Sequence, residues 1–333
     1  MQVAFYDRTG AAADVLQLNE LPDPTPGPGE VRVRLLWSGV NPSDVKSRAG
    51  LRSKVLAFPR IVPHSDGMGL IDAVGEGLSR ERIGQRVWVW NGAWGRAMGT
   101  AAQYIVLPER QAVALPEGVP DEAGACFGIP AMTALHAVLT SGGVQGQRVL
   151  VAGGAGAVGH YAVQFARLLG AAQVLATASA PKLEIAQAAG ADAVFDYRSE
   201  GLAERVREAT AGHGVDRVIE LDIAANAALN LAVLRRGGSC VVYGSGAGQF
   251  TLPFFPLISN NIALQFFIVY NLDAADRLRA EATLTELLQR GALSHQIGQR
   301  LPLAQVARAH ELVEQAQVLG NLVLAVPAVS NVS

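Results

Sequence analysis

The chain has 333 residues, half of them hydrophobic and 17% charged, which is more than one core usually fills and too apolar for disorder, so two ordered domains are expected. With 27 basic against 29 acidic residues and a formal charge of -2, it carries no electrostatic footprint for nucleic acid or an anionic membrane. Two isolated cysteines, Cys126 and Cys240, exclude a disulfide framework and point to a reducing, cytoplasmic compartment. Asp7 and Arg8 fall where a signal peptide needs its apolar run, and no stretch reaches the ~18 apolar residues of a membrane span.

From Met1 to about Pro120 the pattern is short β-type runs, such as Val31–Leu36 and Arg86–Val89, broken by turn segments like the Pro- and Gly-rich Pro22–Gly29. Beyond Pro116–Pro120, apolar strands alternate with helices, the signature of βαβ units and a parallel sheet. The expected strands are Arg148–Ala152, Gln173–Ala178, Ala193–Tyr197, Val215–Leu221, Ser239–Gly244 and Ala263–Tyr270, with helices beginning near Val158, Pro181, Leu202 and Ala227. Six parallel strands complete a doubly wound dinucleotide fold, so the chain is read as α/β. Helices over Asp273–Arg290 and Leu303–Gln317 and a last strand, Asn321–Val326, are expected to return to the first domain, and Ala328–Ser333 to fray. The divisions are therefore 1–123, 124–270 and 271–333.

The first strand of the second half runs into Gly153, Gly154, Gly156 and Gly159 and then a helical pattern. In that context Gly154 permits a tight turn, Gly156 with Ala157 and Val158 lets backbone approach a pyrophosphate, and Gly159 allows close helix–strand packing. The competing reading is an ordinary glycine-rich turn. NAD enzymes usually place Asp or Glu at the end of the next strand to bind the ribose 2′-hydroxyl. Here that strand ends on Ser179, followed by Lys182, while Tyr197 and Arg198 close the third strand. Hydroxyls and positive charge suit a 2′-phosphate, so NADPH is expected over NADH. The alternative reads Ser179 as a helix cap with Lys182 solvated, and the two roles can coexist.

Four segments occur in order at consistent spacing: Ser38–Asp44, Gly128–Ala134, the glycine loop and Leu234–Ser245. Together they resemble the zeta-crystallin-type NADPH:quinone reductases, zinc-free members of the medium-chain dehydrogenase/reductase superfamily. The resemblance implies a GroES-like, mostly β catalytic domain, a Rossmann domain inserted before the final segment, and an active site in the cleft between them. It places Asn41 near the nicotinamide and Thr133 against its ring; Asp44 of the same motif is a further catalytic candidate, and so, outside the family pattern, is Lys46, which could contact cofactor or substrate. It also puts Tyr243, Gly244 and Ser245 beside the pyrophosphate or nicotinamide ribose, and Phe267, Ile268 and Val269 at the carboxamide. Two positions depart from the family pattern: Lys46 stands where many relatives carry Tyr, and Asn321 where many carry Lys. Asp44 is equally read as a helix cap paired with Arg48, and the aromatic segment Trp90–Tyr104 as either a flat pocket wall or a packed loop.

In zinc alcohol dehydrogenases of this superfamily, Cys and His hold a catalytic zinc. The first ligand position falls here within Asn41–Ser43 and the second at about Ser65. His64 with Asp66 is the tempting metal pair, but without a thiolate companion His64 is read as a loop or cleft histidine and no metal is expected. Reduction of a quinone is then the leading function. The rivals are reduction of α,β-unsaturated carbonyl compounds and a sensor that binds NADPH without turnover. A homodimer is expected because the sixth strand is apolar and lies at the sheet edge.

Overall fold

The structure is a computed structural model that describes residues 1–329; residues 330–333, part of the terminus expected to fray, lie outside the described residues. The chain divides into two units, Met1–Ile129 with Thr285–Ser333, and Pro130–Leu284. The sequence divisions differ because helix Ala274–Gln289 crosses the second divide.

In the second unit the strands are Arg148–Val151, Gln173–Ala178, Ala193–Asp196, Val215–Glu220, Leu234–Val242 and Ala263–Phe266, all pairing in parallel. Across the sheet they stand third, second, first, fourth, fifth, sixth, the doubly wound order whose reversal between first and fourth opens a crevice at the strand ends. Burial on both faces explains the near-continuous apolar runs: Val149, Leu150 and Val151, and Val174, Leu175 and Ala176, are fully or almost fully buried. Two strands differ from expectation by more than one residue at an end. The fifth starts at Leu234 because the register skips from Val215↔Leu234 to Arg217↔Ser239, so residues 235–238 bulge out. The sixth stops at Phe266, and the apolar residues after it turn into a short 3-10 segment, Val269–Asn271.

The first unit is built on a seven-stranded sheet. Its long central strand, Glu30–Val40, pairs antiparallel with Asp66–Val74, Tyr104–Pro108 and the carboxy-terminal strand Asn321–Ala325. Alternation of buried Val31, Val33 and Leu35 with half-exposed Arg32 and Arg34 gives this strand one core face. A strand not expected from the sequence, Ile297–Pro302, pairs in parallel with Asn321–Ala325. Among the described residues no helix is long and apolar enough to cross a membrane.

Candidate functional site

Strand Arg148–Val151 ends in the glycine loop, and helix Ala157–Leu168 begins at Gly156 with no side-chain cap. The first amides of a helix lack intrahelical partners, so this terminus presents N–H groups to an anion. The left-handed turn falls on Gly153 (φ +69) rather than on Gly154 as expected. Gly154 is needed for space instead, since a Cβ there would lie 2.7 Å from that of Ala176. At Gly159 a Cβ would sit 2.0 Å from the Gly153 carbonyl oxygen, so this position tolerates no side chain. The loop is fixed to the second strand by Gly154 N–H donating to the Thr177 carbonyl (2.8 Å) and Gly153 N–H to Thr177 Oγ1 (3.2 Å).

Beside the loop lies a cavity of about 410 Å³, lined among others by Gly153, Gly156, Ser179, Lys182 and Tyr197. Ser179 and Tyr197 come together because the second and third strands end side by side, with Tyr197 N–H donating to the Ala178 carbonyl (3.1 Å). Ser179, not a carboxylate, closes the second strand, and it makes no capping bond to the turn after it. Sequence reasoning missed the opposite wall. There Glu220, fully buried, accepts from Asn226 Nδ2 (2.9 Å), Asn230 Nδ2 (2.7 Å) and the Asp222 N–H (2.5 Å). Asp222 in turn accepts from Gly246 N–H at 2.7 Å, tethering the loop that contains Tyr243, Gly244 and Ser245. A carboxylate closing the fourth strand, Asn four residues after a capping Asp, was the available signal. Burial and the neighbouring Glu220 raise the Tyr243 hydroxyl far above its ordinary pKa. These features fit a dinucleotide: a bare helix terminus, a loop with no room for side chains and a cavity with a hydroxyl-and-lysine end.

In the same unit Thr133 is buried near the start of helix Met132–Leu139. The stretch Phe267–Val269 is held by Phe267 N–H to the Val242 carbonyl (3.1 Å) and by Arg277 to the Val269 carbonyl (2.6 Å), with the Phe267 ring edge-on to His136.

In the first unit Asn41 ends the central strand and precedes helix Pro42–Arg48. Its backbone N–H donates to Asp44 Oδ2 (2.8 Å), and its side-chain Nδ2 donates to Asp66 Oδ2 (2.9 Å). The sheet register brings these together, because Gly39 pairs with Asp66. Gly128 leaves the room for Asp66, since a Cβ there would lie 2.4 Å from Asp66 Oδ1. Burial pushes the Asp44 carboxyl up to about 7, against the opposing bond from Asn41. Burial also raises Asp66 well above the usual carboxylate range. The helix-cap reading of Asp44 holds, but its expected partner Arg48 instead meets Glu314 (2.9 Å). Lys46 is half-buried on the same helix, and Asn321 donates its side-chain amide to the Gln296 carbonyl (3.1 Å). Trp90 is buried, Trp94 is exposed, and Tyr104 lies in the sheet under the Arg32 guanidinium. His64 is fully buried, with Nδ1 against Ser38 Oγ and Nε2 against His310 Nε2, each at 2.9 Å, so both its nitrogens are engaged within the protein.

Two families match, the alcohol dehydrogenase GroES-like domain over residues 27–117 and the zinc-binding dehydrogenase over residues 157–289. The quinone oxidoreductase of Pseudomonas aeruginosa is 30% identical over 317 residues, covering 93% of this chain and 95% of that one. The chain belongs to the quinone oxidoreductases of the medium-chain dehydrogenase/reductase superfamily. The quinone oxidoreductase of Escherichia coli, solved in complex with NADPH, superposes with a TM-score of 0.86 at 25% identity, covering 98% of this chain and all of that one. An NAD-dependent alcohol dehydrogenase superposes with a TM-score of 0.90 at 30% identity, again over 98% and 100% of the two chains. The fold is thus GroES-like plus Rossmann, and the chain is an oxidoreductase of this superfamily. The likenesses include relatives named for either cofactor, so the choice between them rests on the cavity residues.

Proposed function

We propose that the chain is an NADPH-dependent reductase that passes a hydride to a quinone without a metal. The observation that carries the reading is the end of the cavity where Ser179, Lys182 and Tyr197 stand and where Ser179, not a carboxylate, closes the second strand. A hydroxyl and an ammonium favour a 2′-phosphate, whereas NAD enzymes use a carboxylate there. The complex of the Escherichia coli relative with NADPH supports the same cofactor. Bound NADPH supplies the hydride; the quinone gains two electrons with it and takes a proton from solvent to become the hydroquinone. This chain's part is to hold the phosphates on the helix terminus at Gly156, Ala157 and Val158, to position Asn41 and Thr133 for the nicotinamide, and to exclude water. Tyr243, Gly244, Ser245, Phe267, Ile268 and Val269 line the rest of the cofactor's path in this reading. The positions that hold zinc in the alcohol dehydrogenases carry Asn41–Ser43 and Ser65 here, with no thiolate, which supports chemistry without a Lewis acid.

We also propose that the protein is a homodimer joined at strand Ala263–Phe266. Among the described residues that strand pairs on one side only, and Phe254, Phe255, Ile258 and Phe266 beside it are each more than half exposed. A twofold axis would let two such edges pair with one another. Light scattering at micromolar concentration should give twice the chain mass, and Phe254→Asp should shift it toward the single chain.

The function is tested by steady-state NADPH oxidation with a quinone, an enone and, in reverse, a primary alcohol with NADP⁺. Fastest turnover with the quinone is expected. Faster enone turnover would make the chain an alkene reductase, alcohol oxidation would overturn the metal-free reading, and tight NADPH binding with no turnover would favour a sensor.

A further inference from the structure

Behind Asn41 runs a chain of hydrogen bonds whose members are all fully buried. Thr100 Oγ1 donates to the Asp66 backbone carbonyl (2.5 Å). Ser38 Oγ lies 2.9 Å from both Thr100 Oγ1 and His64 Nδ1, and His64 Nε2 lies 2.9 Å from His310 Nε2. The direction of every bond follows from its end. A carbonyl only accepts, so the Thr100 hydroxyl proton belongs to it, and Thr100 must accept from Ser38. Ser38 has then given its one proton, so it accepts from an Nδ1–H of His64. A neutral His64 protonated at Nδ1 has a bare Nε2, which accepts from the Nε2–H of His310. That leaves Nδ1 of His310 as a lone pair, and it is the one ring nitrogen of the pair without a hydrogen-bond partner. Burial holds both rings neutral, since His64 is lowered to about 3 and His310 well below its ordinary value.

We propose that His310 and His64 are positioning residues for Asn41, acting through this one-directional relay. The relay joins the end of the central strand, the turn before Asp66, the Thr100 loop and helix Val306–Glu314 immediately behind the Asn41–Asp66 bond. His64 holds a left-handed backbone (φ +75), a conformation uncommon for any residue but glycine. Its ring bonds on both sides account for a histidine being kept there. Asp66 is fixed at its backbone by Thr100 and at its side chain by Asn41, so slack in the relay passes to the Asn41 amide.

The proposal rests on the reading that Asn41 serves the nicotinamide, and two separate measurements keep the two apart. Long-range ¹⁵N–¹H spectra of histidine-labelled protein should show neutral His64 protonated at Nδ1 and neutral His310 protonated at Nε2 at pH 7. The Asn41 side-chain amide resonance should move in His310→Leu, which removes the donor, and return in His310→Gln, whose amide replaces the Nε2–H. The turnover number should follow the same pattern, falling about tenfold in the Leu variant and largely rescued in the Gln variant, with NADPH affinity unaffected. The opposite tautomer or a charged ring at either histidine, or an Asn41 amide indifferent to both variants, would overturn the relay. Full turnover in Asn41→Ala would overturn the role given to Asn41 while leaving the spectra to judge the relay.

Discussion

The glycine-loop cavity and the Asn41 cluster differ in what they are made of. The first is backbone: a helix terminus, a left-handed Gly153, and a Gly159 that no side chain can replace, all from one contiguous stretch. The second is side chains from four distant segments, around Ser38–Asp44, His64–Asp66, Thr100 and His310, each buried and each held by the next. A backbone site presents donors that cannot be truncated by mutation, only blocked. A side-chain network is truncated easily, and the loss spreads along it. Substitutions in the loop should therefore abolish binding, and substitutions in the cluster should slow turnover while sparing binding.

The largest effect is expected from Gly159→Val. Its Cβ would meet the Gly153 carbonyl at 2.0 Å, so backbone must shift at the turn, an overpacking cost of about 1–3 kcal/mol or more. NADPH affinity, read by fluorescence titration, should fall at least about 100-fold, because the shift moves the amides proposed to hold the phosphates. Retained affinity would remove the loop from the cofactor site.

Asn41→Ala should sharpen the contrast from the other side. It deletes the donor to Asp66, so kcat should fall by about 10²-fold through misplacement of the reacting groups, while NADPH affinity stays within about twofold. A loss of affinity equal to the loss of turnover would erase the distinction between the two regions. Lys182→Glu is next in size. With a carboxylate in place of an ammonium at the ribose end, NADPH should weaken about tenfold or more while NADH changes little. Equal losses for both cofactors would point to a folding defect.

The same difference governs what could be read from the sequence. The glycine loop is legible because its glycines lie close together between a strand and a helix, although the left-handed turn belongs to Gly153 and spacing alone cannot tell it from Gly154. The six parallel strands are legible in the alternation of apolar strands and helices. Strand Ile297–Pro302 escaped because it is largely exposed and only Ile297 and Leu301 give it β character. The sixth strand was drawn too long because an apolar run does not show where pairing stops. The His64–His310 contact spans 246 residues and is created by sheet register and a returning helix, neither of which a local pattern encodes. Glu220 carried a visible sign, a carboxylate closing an apolar strand, but its partners Asn226 and Asn230 become meaningful only once the helix turns them toward it.

The smallest expected effect is on the pH dependence of stability, and it isolates the cluster from everything else. Asp44 has a native pKa of about 7 against an ordinary 3.8, so the stability it contributes is present below about 4 and is lost as pH rises toward 7. Asp66, raised by the same burial, acts in the same direction. The histidines act oppositely: His64 is lowered from 6.5 to about 3, and His310 is also lowered, so their stability is present above 6.5 and is lost as pH falls. Between about pH 4 and 6.5 native Asp44 holds a proton that it lacks in the unfolded chain, and native His64 lacks one that it holds there. These two slopes cancel, and Asp66 and His310 oppose one another in the same sense. Asp44→Asn removes one native proton, and stability should then rise with pH by about 1.4 kcal/mol per unit relative to the parent. His64→Gly removes one unfolded-state proton, tolerates the left-handed backbone, and should tilt the slope by the same amount the other way. Urea midpoints at three pH values within the window measure both tilts. Parallel curves for parent and variants would mean that these groups titrate normally in the folded protein and that the cluster is open to water.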